Sequence, residues 1–586
     1  MKKLLITTAL KETWLLESNY KHIFLGEWCK LYTEKHFWEA LNYEDIPYHW
    51  DDRIKLKSDH DYLKDLYEKI LILISEKLNK LHGINETIIF WRIILGPWLI
   101  TYIPILFDRW VTLGKAFENN DQYLYVLSEL EEPDHLIARD FSNFLELMQT
   151  DQWNYYIYQR ILLEKYSNQI EKIVIQPIKI NSNFIKTNSS ISFKKKIQYF
   201  FEDIISLINR NSGVFFYKSY FTPLKFLKLN FSLKQLPQTY HNTFNFEYTK
   251  KVDINIRNAN KIRIHQMNEF ETFLLTNILN DIPTAYLEEF KAIRIKTDKL
   301  IYLHNTILTA NAYWADDVFK IWSAKKKNEG AKLYISQHGG SFPPLFDNFS
   351  HEEDISDKHI TWFKQYHPKH IQLPPNKIEK SITTNGKNCS IIGFESPRYS
   401  YRITAGAISH QSIFMFEQTS NFCNLLNQEI RNNLKIRPYP NMGWHTKQRY
   451  IDKFSDSVID NSKDYKTFIK NSKILICTYP QTTFSEAMAS GKPTILLYDP
   501  NYNEIIPEAE DLLKLLKLVN IVFSDPKLAA EHLNNIWFDI DKWWNSNEVI
   551  SARNMFFEIA LRINHDWKKE WTAFLTLENN EINKNK

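Results

Sequence analysis

Between residues 385 and 540, apolar strand-like runs alternate with helical stretches, and this rhythm limits the folds open to the chain. The runs are SIIGF, SIFMFEQ, LKIRPYP, ILICTYP, PTILLYD and NIVFS. Strands that are apolar on both faces and alternate with helices are typical of a parallel sheet covered by helices on each side. The pattern therefore predicts an α/β fold, with a Rossmann-like unit at 385–540.

The first 375 residues hold a second α/β region. Strands are predicted at 4–8, 22–26, 173–178 and 213–221, and a β-α-β unit runs from TILTANAY to KLYISQHGG. A helical stretch at about 61–166 exceeds one crossover, so it predicts an inserted helical layer. The expected domains are an N-terminal domain at 1–375, a C-terminal domain at 385–540, and C-terminal helices with a frayed tail at 541–586.

The apolar segment at residues 87–107, TIIFWRIILGPWLITYIPILF, is long enough to span a bilayer. It contains Arg92, Pro97 and Pro104, and an arginine at the centre of a span costs about 2.5–3.5 kcal/mol on insertion scales. We therefore expect a buried helical pair, with a membrane-surface patch and a true span as the alternatives.

Charge and cysteine content exclude several classes of protein. Lys and Arg number 73 against 69 Asp and Glu, so a formal charge of +4 leaves no global field for binding nucleic acid. The 4 cysteines lack CxxC or other metal-ligand spacing, which argues against disulfide scaffolds and zinc sites. A reducing, cytoplasmic compartment is expected.

The strongest local motif is ILICTYPQTTFSEAMASGKPTILLYD at residues 474–499. A polar turn follows the apolar strand and opens a helix, so it lies at the carboxyl end of a parallel strand. Free N–H groups and the helix dipole attract anions at such a helix N-terminus. The motif predicts a phosphate-binding turn. Its polar residues are Tyr479, Gln481, Thr482 and Thr483.

Two interpretations stay open for the start of this helix. Glu486 follows Thr483 by three residues, so it either closes a capping box or accepts hydrogen bonds from a ribose. Thr482 and Thr483 either cap the helix or contact a nucleotide phosphate, and the two roles are compatible.

Arginines follow two other strands of the same predicted sheet. Arg437 and Tyr439 end LKIRPYP, and adjacent strand ends share one crevice in a doubly wound sheet. Arg437 is therefore expected to form a forked contact with a phosphate or carboxylate, the alternative being a surface ion pair. The same reasoning brings Arg398 and Arg402, in ESPRYSYR, to this edge.

In the first region, KLYISQHGG places Gln337 and His338 just past an apolar strand, before Gly339 and Gly340. The chain has only 13 glycines, so this pair indicates positive φ or close backbone approach. His338 is predicted either as a general base or as a structural histidine.

Carboxylates offer further candidates for a base. Glu27 stands alone at a third predicted strand end, as a catalytic carboxylate or a helix cap. Glu352, Glu353, Asp354 and Asp357 precede another strand, where a base or a solvated loop are the two interpretations.

Several motifs together resemble a known family over nearly the whole chain. They are LLITTALKETW with FLGEWC, ISQHGG with EEDISDKHITW, and TYPQTTFSEAMASGKPTI with FDIDKWWN. These segments resemble a family of bacterial transferases from O-antigen and surface-polysaccharide biosynthesis. The paired α/β halves also resemble GT-B glycosyltransferases, and the late loop is similar to nucleotide-sugar sites in transferases of Kdo and sialic acid type.

The resemblance implies a glycosyltransferase that moves a sugar from a nucleotide-sugar donor to a growing surface polysaccharide. The second half would bind the donor, and the first half would contact the glycan or lipid-linked acceptor. No DxD pair stands in a loop directly after a predicted strand, so no metal or other cofactor is expected. A polyol-phosphate transferase with a CDP-activated donor and a non-catalytic scaffold are the alternatives.

Peripheral contact with the inner membrane is a further expectation. The stretches SFKKKIQYFF at residues 192–201 and YKSYFTPLKFLKLNFSLK interleave lysines with aromatic residues. An interfacial protein face has this composition, and a solvated surface is the alternative.

Overall fold

In the described part of the chain, three five-stranded sheets follow one another, and all neighbouring strands in them are parallel. The computed structural model describes residues 1–16, 19–129, 133–178, 213–238, 240, 243–262, 264, 267–300, 302, 304–380, 386–563 and 565–584. The lysine-rich stretch at 192–201 lies outside the described residues.

The first sheet has the strand order β3-β2-β1-β4-β5. Its strands are β1 Lys2–Ile6, β2 Tyr20–Phe24, β3 Tyr43–Asp45, β4 Tyr123–Leu127 and β5 Ile170–Val174. Its helices are α1 Lys35–Trp38, α2 Arg53–His82, α3 Ile88–Ala116, α4 Phe141–Leu147 and α5 Asp151–Lys165.

The region predicted as an inserted helical layer, about 61–166, is instead part of this sheet's own winding. β4 lies inside it and pairs with β1. The helices α2 and α3 together form the crossover from β3 to β4. A crossover between parallel strands must exceed a minimum length, but it can contain two long helices.

The apolar segment 87–107 lies within the single helix α3 rather than a helical pair, with Pro97 and Pro104 inside it. By length and composition α3 could cross a membrane, yet 83% of its most apolar window is buried inside the protein. One continuous apolar core, which includes α3, joins the first sheet to one face of the second. The predicted burial is confirmed, and the segment offers no surface patch.

The second sheet has the order β10-β9-β8-β7-β6. Its strands are β6 Val214–Tyr217, β7 Thr306–Thr309, β8 Lys332–Ser336, β9 Lys358–Thr361 and β10 His370–Gln372. The helices in this part are α6 Pro223–Ser232, α7 Ile254–Ala259, α8 Glu269–Asp281, α9 Phe290–Asp298, α10 Ala312–Ala315, α11 Asp317–Asn328 and α12 His351–Ile355.

The third sheet has the order β12-β11-β13-β14-β15. Its strands are β11 Asn388–Ile392, β12 Leu434–Arg437, β13 Ser472–Cys477, β14 Thr494–Leu497 and β15 Val522–Phe523. Its helices are α13 Gln411–Asn424, α14 Gln428–Asn432, α15 Thr446–Phe454, α16 Tyr465–Asn471, α17 Thr482–Ala489, α18 Glu510–Leu518 and α19 Pro526–Ile536. Three more helices follow: α20 Ile540–Trp544, α21 Asn547–Phe556 and α22 Trp567–Lys584.

One predicted strand of this region is wrong. SIFMFEQ lies in helix α13, where Ser412, Met415, Phe416 and Thr419 are buried. This spacing of three and four residues places them on one helical face, whereas a strand would alternate at every second residue.

The α/β fold class, built from parallel sheets with intervening helices, is confirmed, and the third sheet has the reversed strand order of a Rossmann-like unit. The first region contains one sheet more than the sequence predicted, since residues 1–375 hold two. Helix α22 returns to the second sheet, where the Trp571 indole donates to the Pro374 carbonyl at 2.8 Å. The domain boundaries at 375, 385 and 540 stay predictions.

Candidate active site

A cavity of about 880 Å³ lies between the second and third sheets. The third sheet winds in opposite directions on either side of β11, so its crevice opens outside the carboxyl ends of β11 and β13. Residues 394–397 and 479–482, which directly follow these strands, line the cavity. Residues 335–340, at the end of β8, form the opposite wall.

Eight of the predicted site residues line this cavity. They are Gln337, His338, Gly339, Gly340, Tyr439, Tyr479, Gln481 and Thr482. The described residues that line the cavity do not include the other five: Glu27, Arg398, Arg437, Thr483 and Glu486.

The glycine pair locks the two units together. The Gly340 N–H donates to Thr482 Oγ1 at 2.8 Å, and the Gly340 carbonyl accepts from Ser485 Oγ at 3.1 Å. Gly340 has φ +120°, and a Cβ on Gly339 would lie 2.5 Å from Thr482 Oγ1. Gly340 is therefore required by its backbone conformation, and Gly339 by the close approach of the Thr482 side chain.

Gln337 holds this loop in place. Its Nε2 donates to the Gly339 carbonyl at 2.8 Å, and its Oε1 accepts from the Trp362 N–H at 2.7 Å. The side chain thus ties the loop after β8 to the end of β9. Both its oxygen and its nitrogen bond to the backbone, so Gln337 is a scaffold residue of the cavity wall.

Helix α17 begins at Thr482, with Gln481 as its N-cap. Within the described chain, no side chain caps this end, so the predicted capping box is not formed. Glu486 faces Lys377, whose Nζ is 3.7 Å from its carboxylate. Burial raises the pKa of Glu486 above its ordinary value, and Lys377 opposes part of this rise.

Arg437 forms an ion pair outside the cavity. Its guanidinium donates to Asp460 Oδ2 at 2.7 Å and lies over the rings of Tyr465 and Phe468. Arg437 ends β12, an edge strand on the far side of β11 from β13 and the turn at 479–482. Arg437 therefore forms the ion pair that was the alternative prediction. Tyr439, two residues later, lines the cavity.

Arg398 and Glu27 lie outside the cavity, and each forms an ion pair of its own. Arg398 is buried and pairs with Asp151 at 2.6 Å, next to the Tyr399 hydroxyl on the same carboxylate. Glu27 pairs with Lys30 at 2.8 Å. Most of the loop after β11 lines the cavity, whereas Arg398 reaches the first sheet's unit.

His338 lies in the wall opposite the N-terminus of α17. Its ring is exposed to the cavity, and the Tyr220 ring centroid is 5.4 Å away. Desolvation by the surrounding protein lowers the pKa of His338 below its ordinary value, Lys377 lowers it further, and the Ala310 carbonyl opposes this. The imidazole is therefore neutral at pH 7 and able to accept a proton.

A cluster at Glu353 was missed as a unit by sequence reasoning. His359 Nδ1 and His370 Nε2 each lie 2.8 Å from Glu353 Oε1. Burial alone would raise the pKa of this carboxyl, but the two histidine hydrogen bonds hold it well below its ordinary value. Glu353 and His359 line the cavity.

The same three residues are of the types that bind metal ions. Their donor atoms lie within 4.8 Å of one another, the arrangement that could hold an ion. Tetrahedral zinc, with Zn–N near 2.0–2.1 Å, would separate its ligands by about 3.3 Å rather than a hydrogen-bond distance. Among the described residues His370 Nδ1 has no partner, whereas metal-bound histidines donate that N–H. The cluster fits a hydrogen-bonded carboxylate better.

Aromatic and cationic side chains complete the cavity. Phe394, Tyr439 and Tyr479 form one aromatic group, with Tyr479 centroids 5.0 Å from Phe394 and 6.5 Å from Tyr439. Lys377 and Arg402 bring positive charge to the wall. Arg402, which the sequence placed at this edge, has Asp347 at 3.5 Å.

A family model for LIC12162 family transferases matches residues 3–575. The chain belongs to the LIC12162 family of transferases. This membership establishes a transferase and agrees with the resemblance to bacterial transferases noted in the sequence. No curated protein matches this family member.

Solved structures resemble parts of this transferase. Trehalose-6-phosphate synthase OtsA has 12% identity and a TM-score of 0.29, covering 51% of this chain and 79% of its own. MurG of Acinetobacter baumannii has 12% identity and a TM-score of 0.27, covering 49% of this chain and 76% of its own.

Proposed function

We propose that this transferase moves a sugar, a Kdo-like or nonulosonic acid being the expected type, from a nucleotide-sugar donor to a growing bacterial surface polysaccharide. One observation carries the proposal. A single cavity joins the switch point of the third sheet, including the N-terminus of α17, to an exposed histidine at the end of β8.

The third sheet's side of the cavity suits the donor. The Phe394, Tyr439 and Tyr479 group offers rings for a nucleobase. The uncapped start of α17 has N–H groups and a dipole that favour a phosphate, and Arg402 adds a cation on the same wall. These groups would stabilise the charge that develops on the leaving nucleotide.

The second sheet's side suits the acceptor. The acceptor oxygen would attack the anomeric carbon of the donor while its proton passes to the His338 imidazole. The bond between that carbon and the donor phosphate oxygen breaks, and the nucleotide leaves with the electron pair. No divalent cation is part of this proposal, so EDTA should leave turnover unchanged. Loss with EDTA and recovery with Mg²⁺ or Mn²⁺ would contradict it.

The proposal places the reaction in the cytoplasm, with a glycan or lipid-linked glycan as acceptor and no nucleic acid partner. The described cysteines, Cys29, Cys389, Cys423 and Cys477, are free and buried, which is compatible with a reducing compartment.

The first experiment is a thermal-shift screen with CMP, UDP and GDP sugars, followed by an assay of nucleotide release. A donor at 100 times its Kd should stabilise the protein by about 2.7 kcal/mol. The Arg402→Met variant should lose much of this stabilisation. The matched Lys514→Met variant, on an exposed lysine of α18, should keep it.

The outcomes separate the alternatives. A released UDP or GDP indicates an ordinary sugar donor, whereas CMP requires mass analysis of the product, since a CDP-activated polyol phosphate also releases CMP. If no nucleotide sugar stabilises the protein and none is turned over, the proposed function fails.

A further inference from the structure

Helix α6 presents an apolar face to solvent. Leu224, Leu227 and Phe231 are 61%, 42% and 64% exposed, and Leu236 just beyond the helix is 42% exposed. The first three are spaced by three and four residues, so they lie on one side of the helix. Single exposed apolar residues are common on proteins, but a contiguous group of this kind indicates a binding surface.

The opposite side of α6 anchors the helix. Lys225, Leu229 and Asn230 are buried. Leu229 lies in the apolar cluster that contains Trp571 and Leu575 of α22. The orientation of α6 is therefore set by packing, and its exposed face is a fixed feature of the surface.

The segment that forms this face carries positive charge only, although Lys218 pairs with Asp316 at 2.7 Å and the buried Lys225 lies 3.7 Å from Glu379. No Asp or Glu occurs in the sequence between Asp203 and Glu247, whereas Lys218, Lys225, Lys228 and Lys234 fall in that interval. Lys228 and Lys234 are exposed, one on α6 and the other just after it. An apolar helix face flanked by lysines is complementary to an anionic lipid surface.

The face adjoins the candidate active site. Tyr220, three residues before α6, lines the cavity, and its ring centroid lies 5.4 Å from that of His338. We propose that the face of Leu224, Leu227, Phe231 and Leu236 with Lys228 and Lys234, named here the α6 face, docks on an anionic bilayer. It would hold the acceptor side of the cavity next to the membrane. This inference rests on the proposed function only for the use of a lipid-linked acceptor.

Vesicle sedimentation tests the α6 face in the full chain. The parent should bind vesicles of equimolar phosphatidylglycerol and phosphatidylcholine at low salt, and bind pure phosphatidylcholine less. The double variant Leu227→Glu with Phe231→Glu should lose at least about tenfold in binding, since charged residues then face the lipid. The matched variant Leu518→Glu with Phe538→Glu, at sites 82% and 73% exposed on the third unit, should bind like the parent.

A second pair isolates the charge. Lys228→Gln with Lys234→Gln should weaken binding to the anionic vesicles by about 30-fold, from about fivefold for each lysine, and leave binding to phosphatidylcholine unchanged. Melting curves should lie near the parent's for all three double variants, which establishes that they are folded.

Three outcomes would overturn the inference. The parent could ignore anionic vesicles, or the two glutamate double variants could bind equally. Alternatively, light scattering could show a parent dimer that Leu227→Glu with Phe231→Glu converts to a monomer, which assigns the face to a second copy. Donor-induced thermal shifts should be the same in parent and variants, so failure here is distinguishable from failure of the proposed function.

Discussion

Replacing Gly340 with alanine should damage the junction between the two units that form the cavity. Gly340 has φ +120°, a conformation that L-residues rarely adopt, and the new Cβ would lie 2.5 Å from Gln337 Nε2. The backbone strain costs about 1–3 kcal/mol. Displacing Gln337 endangers its bonds to the Gly339 carbonyl and the Trp362 N–H, each worth about 0.5–1.5 kcal/mol.

Together, the backbone strain and the two hydrogen bonds should lower the free energy of unfolding by about 2–6 kcal/mol. A non-glycine residue in the left-handed conformation alone costs about 1–2 kcal/mol. Gly83 provides the matched control, because it has φ +68° and nothing within 4 Å of its Cβ position. Thermal unfolding should therefore show a fall in Tm for Gly340→Ala at least twice that for Gly83→Ala.

The same substitution should weaken donor binding, since Gly340 bonds to Thr482 and Ser485 of α17. Hydrogen exchange around residues 337–342 should be faster in Gly340→Ala than in the parent. Thr482→Val removes the acceptor of the Gly340 N–H, and Thr482→Ser restores it, so the serine variant should recover the parental Tm and affinity. Equal melting of the two alanine variants, with unchanged exchange, would refute the reasoning.

Three other predictions concern single groups. His338→Ala should lower turnover by about 10²–10⁴ while donor-induced thermal shift survives, and parental turnover would place the base elsewhere. Arg437→Lys should leave donor affinity within about twofold, because a lysine keeps the charge beside Asp460, and a loss above about tenfold would return Arg437 to the donor site. Lowering the pH below about 6.5 should destabilise the fold, because burial lowers the pKa of His82 to about 4 and of His351 to about 3. The unfolded chain binds those two protons near pH 6.5 and the folded chain does not, so these two groups should lower the free energy of unfolding by up to about 2.7 kcal/mol per pH unit between pH 6 and 4.5. Urea titrations across this interval measure the slope, and a flat profile contradicts the assignment.

The sequence predicted those parts of the site that depend on neighbouring residues. A buried strand followed by a polar turn and a helix placed residues 479–482 at a helix N-terminus, and these residues line the cavity. His338 and the glycine pair were identified in the same way, from their position directly after an apolar strand. Each of these inferences needs only the local chain, because strand ends and helix starts adjoin in sequence.

The Glu353 cluster shows what local patterns miss. Glu353 appeared as one carboxylate among several acidic residues, and its partners lie on separate strands, β9 and β10. The local sequence indicates a strand after the acidic residues, but it does not show which side chains face Glu353. Such pairing comes from the register of the strands and the position of α12.

Arg437 and Arg398 mark the boundary between the two kinds of information. The apolar periodicity determined that these arginines follow strands of a parallel sheet, because burial on both faces is recorded in each strand's own residues. Strand order is not recorded there, since any crossover of sufficient length can return on either side of the first strand. Only the tertiary structure decided that β12 lies on the far side of β11, where Arg437 pairs with Asp460. It likewise decided that the loop after β11 reaches the first unit, where Arg398 pairs with Asp151.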